Sequence, residues 1–126
     1  MTEQLQSMKL DICQQLTSVT TQLNEQTRDW FQRTREYKQM QEVYNAIERD
    51  TTAIIYQMSL NEEYKKELSN AEKRSAKVEE IINKDHADLR KRMNECKLKI
   101  ELSAHLMECT ERIYRMLLAQ SRLLGQ

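Results

Sequence analysis

His105 and Cys109 stand four residues apart, so on a helix they share one face and could both reach a single metal ion. Cys96 lies two and a half turns earlier, roughly 14 Å along a helix axis, and cannot join them on the same helix. His86 has no ligand partner at useful spacing. Cys109 also fits an apolar stripe, where a thiol packs as a small hydrophobe. The pattern therefore points to no metal and no cofactor. The three cysteines, Cys13, Cys96 and Cys109, are odd in number and widely spaced, unlike a secreted disulfide framework. The first residues, Met-Thr-Glu-Gln-Leu-Gln-Ser, carry neither a basic start nor an apolar segment, so no secretory signal is read there. These features lead us to expect a reducing cytoplasmic compartment, cytoskeletal or nuclear association included.

Catalysis needs groups held in a pocket, and phosphate binding usually needs a glycine-rich loop. The chain has one glycine, Gly125, and no proline among 126 residues. Both residue types serve turns and tight loops, and their scarcity argues against sandwiches, barrels and any fold with many connections. Hydrophobic residues make up 39% and charged residues 32%, too polar for a membrane span or a thick core. We expect a non-enzyme with no small-molecule substrate. Twenty basic and twenty acidic residues cancel, which removes a general attraction to nucleic acid or acidic lipid. The Lys73–Lys99 stretch is basic but interleaved with acids and holds no aromatic residue, so it offers no stacking platform for nucleic acid. Residues 1–62 hold six bases against nine acids, and residues 63–126 hold fourteen against eleven.

The elements that would position any site follow from hydrophobic periodicity. Leu5, Met8, Ile12, Leu16, Val19, Leu23, Gln26, Trp30, Arg33, Tyr37, Met40, Tyr44, Ile47, Thr51, Ile54 and Met58 recur at steps of three and four. Thirteen of these sixteen are apolar or aromatic, against about six for the average composition. A 3.5-residue repeat keeps one narrow stripe of a helix facing a partner helix, as in a coiled coil. A second seam runs through Tyr64, Leu68, Ala71, Ser75, Val78, Ile82, Asp85, Leu89, Met93, Cys96, Ile100, Ser103, Met107, Thr110, Tyr114, Leu117, Ser121 and Leu124. Each seam contains one four-four step, at Met8–Ile12–Leu16 and at Asp85–Leu89–Met93, which locally unwinds a left-handed supercoil. Beyond residue 96 another stripe appears: Leu98, Leu102, Leu106, Cys109, Ile113 and Met116. A helix apolar on two faces needs more than one neighbour, so the C-terminal third reads as part of a bundle.

The expected fold is all-α: an elongated coiled coil of long helices, a single chain over 1–126 with seams at 1–58 and 64–124. At most one bend is expected, at 59–62, where Ser59-Leu-Asn-Glu62 has the form of a capping box and the seam loses phase. Ser69-Asn-Ala-Glu72 has the same form but sits within good periodicity. The threonine-rich segment 17–27 holds poor helix formers and is a candidate for fraying or a loop. A continuous rod and a hairpin both remain open; the opposite charge of the two halves favours the hairpin, the lack of turn residues the rod.

Function is then expected to lie in contacts between helices. Trp30, Tyr37 and Tyr44 occupy the first seam at seven-residue intervals, and an outward-facing Phe31 would mark a docking surface. Leu68, Ile82, Leu89, Ile100, Leu106, Ile113, Leu117 and Leu124 complete the expected partner-binding set. Gln26, Arg33 and Asp85 are polar seam positions of the kind that specify register and partner. Arg33 against Arg33 would be repulsive, which favours a hetero-oligomer with other helical subunits over a homodimer. The C-terminal Ile113–Leu124 segment, with Arg112, Arg115 and Arg122, has the pattern of a membrane-surface helix but equally of a bundle helix, and membrane contact is not expected. In general character the chain resembles the short coiled-coil subunits of cytoskeletal, kinetochore, spindle and motor-adaptor assemblies. That resemblance implies an assembly role. The polar layers Gln26 and Arg33 also resemble those of SNARE-type fusion helices, which makes a vesicle-trafficking or tethering subunit the alternative.

Overall fold

The seams become helices in a computed structural model that describes residues 2–125. Three helices follow one another: α1 Thr2–Ser59, α2 Ala71–Asp85 and α3 Ala87–Gly125. No strand occurs among the described residues. The threonine-rich segment 17–27, a candidate for fraying or a loop, is helical throughout. Its hydroxyls donate to carbonyls one turn back, Thr17 to Cys13, Thr20 to Leu16, Thr21 to Thr17 and Thr27 to Leu23, at 2.7–3.1 Å. This satisfies the side chains that otherwise compete with the helical backbone.

By contacts the chain divides into two compact units, Met1–Thr34 with Leu98–Gln126, and Arg35–Lys97. In the second unit the chain doubles back. α1 ends at Ser59, as expected, but Ser59 does not begin a helix. Its hydroxyl donates to the Tyr56 carbonyl at 2.5 Å. Residues 60–70 form turns closed by Leu60 N to Gln57 O, Asn61 N to Met58 O, Tyr64 N to Asn61 O and Leu68 N to Tyr64 O, and none of these residues adopts positive φ. The cap for α2 is Asn70, whose Oδ1 accepts from Lys73 N at 2.8 Å. The capping signal that works is thus the later one, shifted by one residue.

Ile55, Leu68, Val78 and Ile82 form the buried core of this unit, with Tyr44, Ile47, Met58, Tyr64 and Ile81 packed against it. Two corrections follow. Tyr64 and Leu68 belong to the connection rather than to a helical seam, Leu68 buried in the core and Tyr64 packed against it. Ile55, at 1% exposure, takes the seam place expected for Ile54, which is 60% exposed. A four-residue step from Thr51 aims Ile55 at Val78 and Ile82, where the regular repeat would aim Ile54. A second break joins the single expected bend: His86 separates α2 from α3, its amide bonding the Ile82 carbonyl at 2.9 Å. The break falls at the four-four step Asp85–Leu89–Met93. Arg90 holds this junction. It donates to Tyr44 Oη at 2.6 Å and Glu79 Oε1 at 2.7 Å, also bonds Asn83 Oδ1, and lies 5.4 Å from the Tyr44 ring centre. The hydrogen bonds that Arg90 donates to Tyr44 and Glu79 raise its pKa above the ordinary value.

In the first unit the N-terminal part of α1 runs against the C-terminal part of α3. Ile12, Leu16, Val19, Leu23, Gln26, Trp30 and Arg33 are all half-buried, as the seam predicts, while Leu5 and Met8 are exposed. Opposite them Ser103, Thr110 and Leu117 are buried. The Thr110 hydroxyl is satisfied by the Leu106 carbonyl at 2.9 Å. Asp29 bridges the two helices: its Oδ2 accepts from Arg33 Nε at 2.8 Å and from Ser103 Oγ at 3.3 Å. The Arg33 hydrogen bond, then its charge, with help from Ser103, lowers the Asp29 pKa against the opposing effect of burial.

Candidate docking face on the third helix

An α-helix turns about 100° per residue, so two heptad stripes offset by one position face directions about 100° apart. α3 carries such a pair. Its inner stripe, Ile100, Ser103, Met107, Thr110, Tyr114, Leu117, Ser121 and Leu124, is buried or half-buried. The outer stripe lies one position earlier: Leu102, Leu106, Cys109, Ile113 and Met116, continued by Leu123 and preceded by Leu98. Leu98, Leu102, Leu106, Ile113, Met116 and Leu123 are 45–73% exposed. The expected second neighbour is not supplied within this unit, and the stripe faces outward.

The expected partner-binding residues divide accordingly. Leu68, Ile82 and Leu117 are buried inside the chain, and Trp30, Tyr37, Tyr44, Leu89, Ile100 and Leu124 are half-buried on the inner seams. Phe31, Leu106 and Ile113 are exposed. Phe31 meets Trp30 edge to face, with ring centres 5.1 Å apart. Leu123 is the stripe residue that sequence reasoning missed, although it follows Met116 by the same seven residues that separate Met116 from Cys109.

The register-specifying residues have local surroundings of their own. Arg33 pairs with Asp29 of its own helix. Asp85 is exposed at the last position of α2. Gln26 is half-buried, and its Oε1 is enclosed without a hydrogen-bond partner. A chain folded back on itself gives Arg33 a face unlike its own, so a different protein is not needed to accommodate it.

Cys109 Sγ lies 3.9 Å from His105 Nε2, the geometry expected of an i, i+4 pair. Among the described residues no three His, Cys, Asp or Glu side chains group as a metal site would require. No helix among them is long and apolar enough to cross a membrane. Comparison with protein-family models, with curated proteins and with solved structures gives no match.

Proposed function

We infer that the chain is a non-enzymatic assembly subunit that docks onto another helical chain through the outer stripe of α3, in the manner of subunits of cytoskeletal, spindle or motor-adaptor complexes. The supporting observation is the exposure of that stripe. At about 180 Å² per large side chain it exposes roughly 600 Å² of surface, at the top of the roughly 300–600 Å² range for the largest apolar patch on a monomer. Its heptad spacing suits a helix as the occupant. The test compares the native size of the tagged full chain in cell extract with that of a Leu102→Asp, Ile113→Asp variant. Both positions are exposed, so the variant keeps its helicity. The reading predicts that it elutes as a free folded chain while the parent sits in a larger assembly. A variant that stays in the same assembly refutes the reading.

A further inference from the structure

We propose that the outer face of α1 around Phe31 binds an acidic helix, through a line of cations with an aromatic side chain set among them. Asn24, Arg28, Phe31, Arg35, Lys38 and Glu42 follow one another at steps of three and four along one unbroken helix. At about 100° per residue, Arg28, Phe31, Arg35 and Lys38 fall within an arc of about 80°. The centre of that arc points roughly 140° away from the seam residues Gln26, Trp30 and Arg33. All four side chains are exposed, Phe31 at 59%. The face belongs to a different helix from the outer stripe of α3, so it goes beyond the docking reading and is independent of it.

Charge selects the occupant. Residues 1–62 hold six bases against nine acids, yet three of those six bases stand on this face. Arg28, Arg35 and Lys38 form no ion pair among the described residues, whereas Arg33, turned toward the seam, is matched by Asp29 of its own helix. No acid lies within the arc. Glu25 and Glu36 lie roughly 100–120° to one side, and Glu42 closes the line one turn beyond Lys38. Phe31 is held by its edge-to-face contact with Trp30, so covering it costs little side-chain freedom. The three cations span about 15 Å of helix axis. A partner helix with two carboxylates seven residues apart and an apolar side chain between them matches Arg28, Phe31 and Arg35 in turn. A nucleic-acid backbone fits less well, because its phosphates continue past Lys38 onto Glu42.

Trp30 is the only tryptophan and touches Phe31, so its fluorescence reads occupancy of this face. The probe is an alanine-based helical peptide of about 20 residues with Glu, Leu and Glu at i, i+3 and i+7, titrated into the full chain. The proposal predicts a saturable change in Trp30 emission that weakens with salt. Replacing the peptide's Glu by Gln weakens binding about tenfold. Arg28→Glu with Arg35→Glu abolishes binding of the acidic peptide and confers binding of a peptide with Lys in place of Glu. Arg28→Gln with Arg35→Gln gives the loss without adding charge, and circular dichroism shows parental helicity. The Leu102→Asp, Ile113→Asp variant binds the acidic peptide as the parent does. Loss of binding in that variant places the peptide on α3 and overturns the proposal. So does equal affinity for the Gln peptide, or no saturation up to about 1 mM. A duplex DNA oligonucleotide that binds more tightly than the acidic peptide overturns it as well.

Discussion

Ile54 and Ile55 are adjacent and chemically identical, yet the fold treats them oppositely, and replacing each by alanine measures that difference. Ile55 is 1% exposed within the Leu68, Val78 and Ile82 cluster, and Ile54 is 60% exposed. Truncating a fully buried isoleucine to alanine loses its transfer free energy and leaves a cavity, about 2–5 kcal/mol in all. A chain of this length has a total stability of roughly 6–19 kcal/mol. Its unfolding entropy is about 0.26 kcal/mol/K, so Ile55→Ala lowers Tm by about 8–19 °C. Ile54→Ala removes little burial and improves helix propensity, and its effect stays within about 0.5 kcal/mol, or roughly 2 °C. Thermal unfolding followed by far-UV circular dichroism reads both. Equal losses at the two positions, or a larger loss at Ile54, would refute the four-residue step from Thr51 and with it the packing of the turn.

Three further outcomes follow from the same contacts. Arg90→Met removes charged hydrogen bonds to Tyr44, Glu79 and Asn83 and costs about 1.5–3 kcal/mol; in a double-mutant cycle with Tyr44→Phe the two losses are less than additive. Asn70→Ala costs about 0.5–2 kcal/mol through the lost cap, whereas Ser59→Ala changes stability by less than about 0.5 kcal/mol, both read by urea unfolding. Asp29 has a folded pKa below its unfolded value of about 3.9. Its contribution is complete above the unfolded value and is lost as pH falls through the lower folded one. Because the side chain is half exposed, that contribution is only about 0.2–1 kcal/mol, and Asp29→Asn removes it together with its acid dependence.

The straight parts of the helices were legible because their packing is periodic. From Ile12 to Thr51 every expected seam position is at least partly buried. The reversal at 60–70 was harder to read, because turns closed by ordinary residues at negative φ leave no glycine or proline signature. Ser59 and Asn70 both fit the pattern of a cap, and only the path of the chain decides that one ends a helix and the other begins one. The break at His86 left a trace in the four-four step beside it, but such a step also occurs at Met8–Ile12–Leu16, within continuous helix. The outer stripe of α3 was visible as apolar spacing, whereas its exposure depends on how many helices the chain itself supplies. For the same reason Leu68, Ile82 and Leu117 are poor probes of assembly: a charge placed there is buried within the chain and unfolds it.

In the proposed assembly the two faces of α3 do different work, one closing the chain on itself and the other meeting a partner. Met107 lies on the inner stripe and is half-buried, and Met116 lies on the outer stripe and is exposed. Peroxide oxidation of the two methionines, quantified by peptide mass in the free and the assembled chain, separates the faces in one measurement. Met116 is expected to oxidise readily in the free chain and to become protected on assembly, while Met107 reacts slowly in both. Equal oxidation of Met116 in the free and assembled states would contradict that expectation.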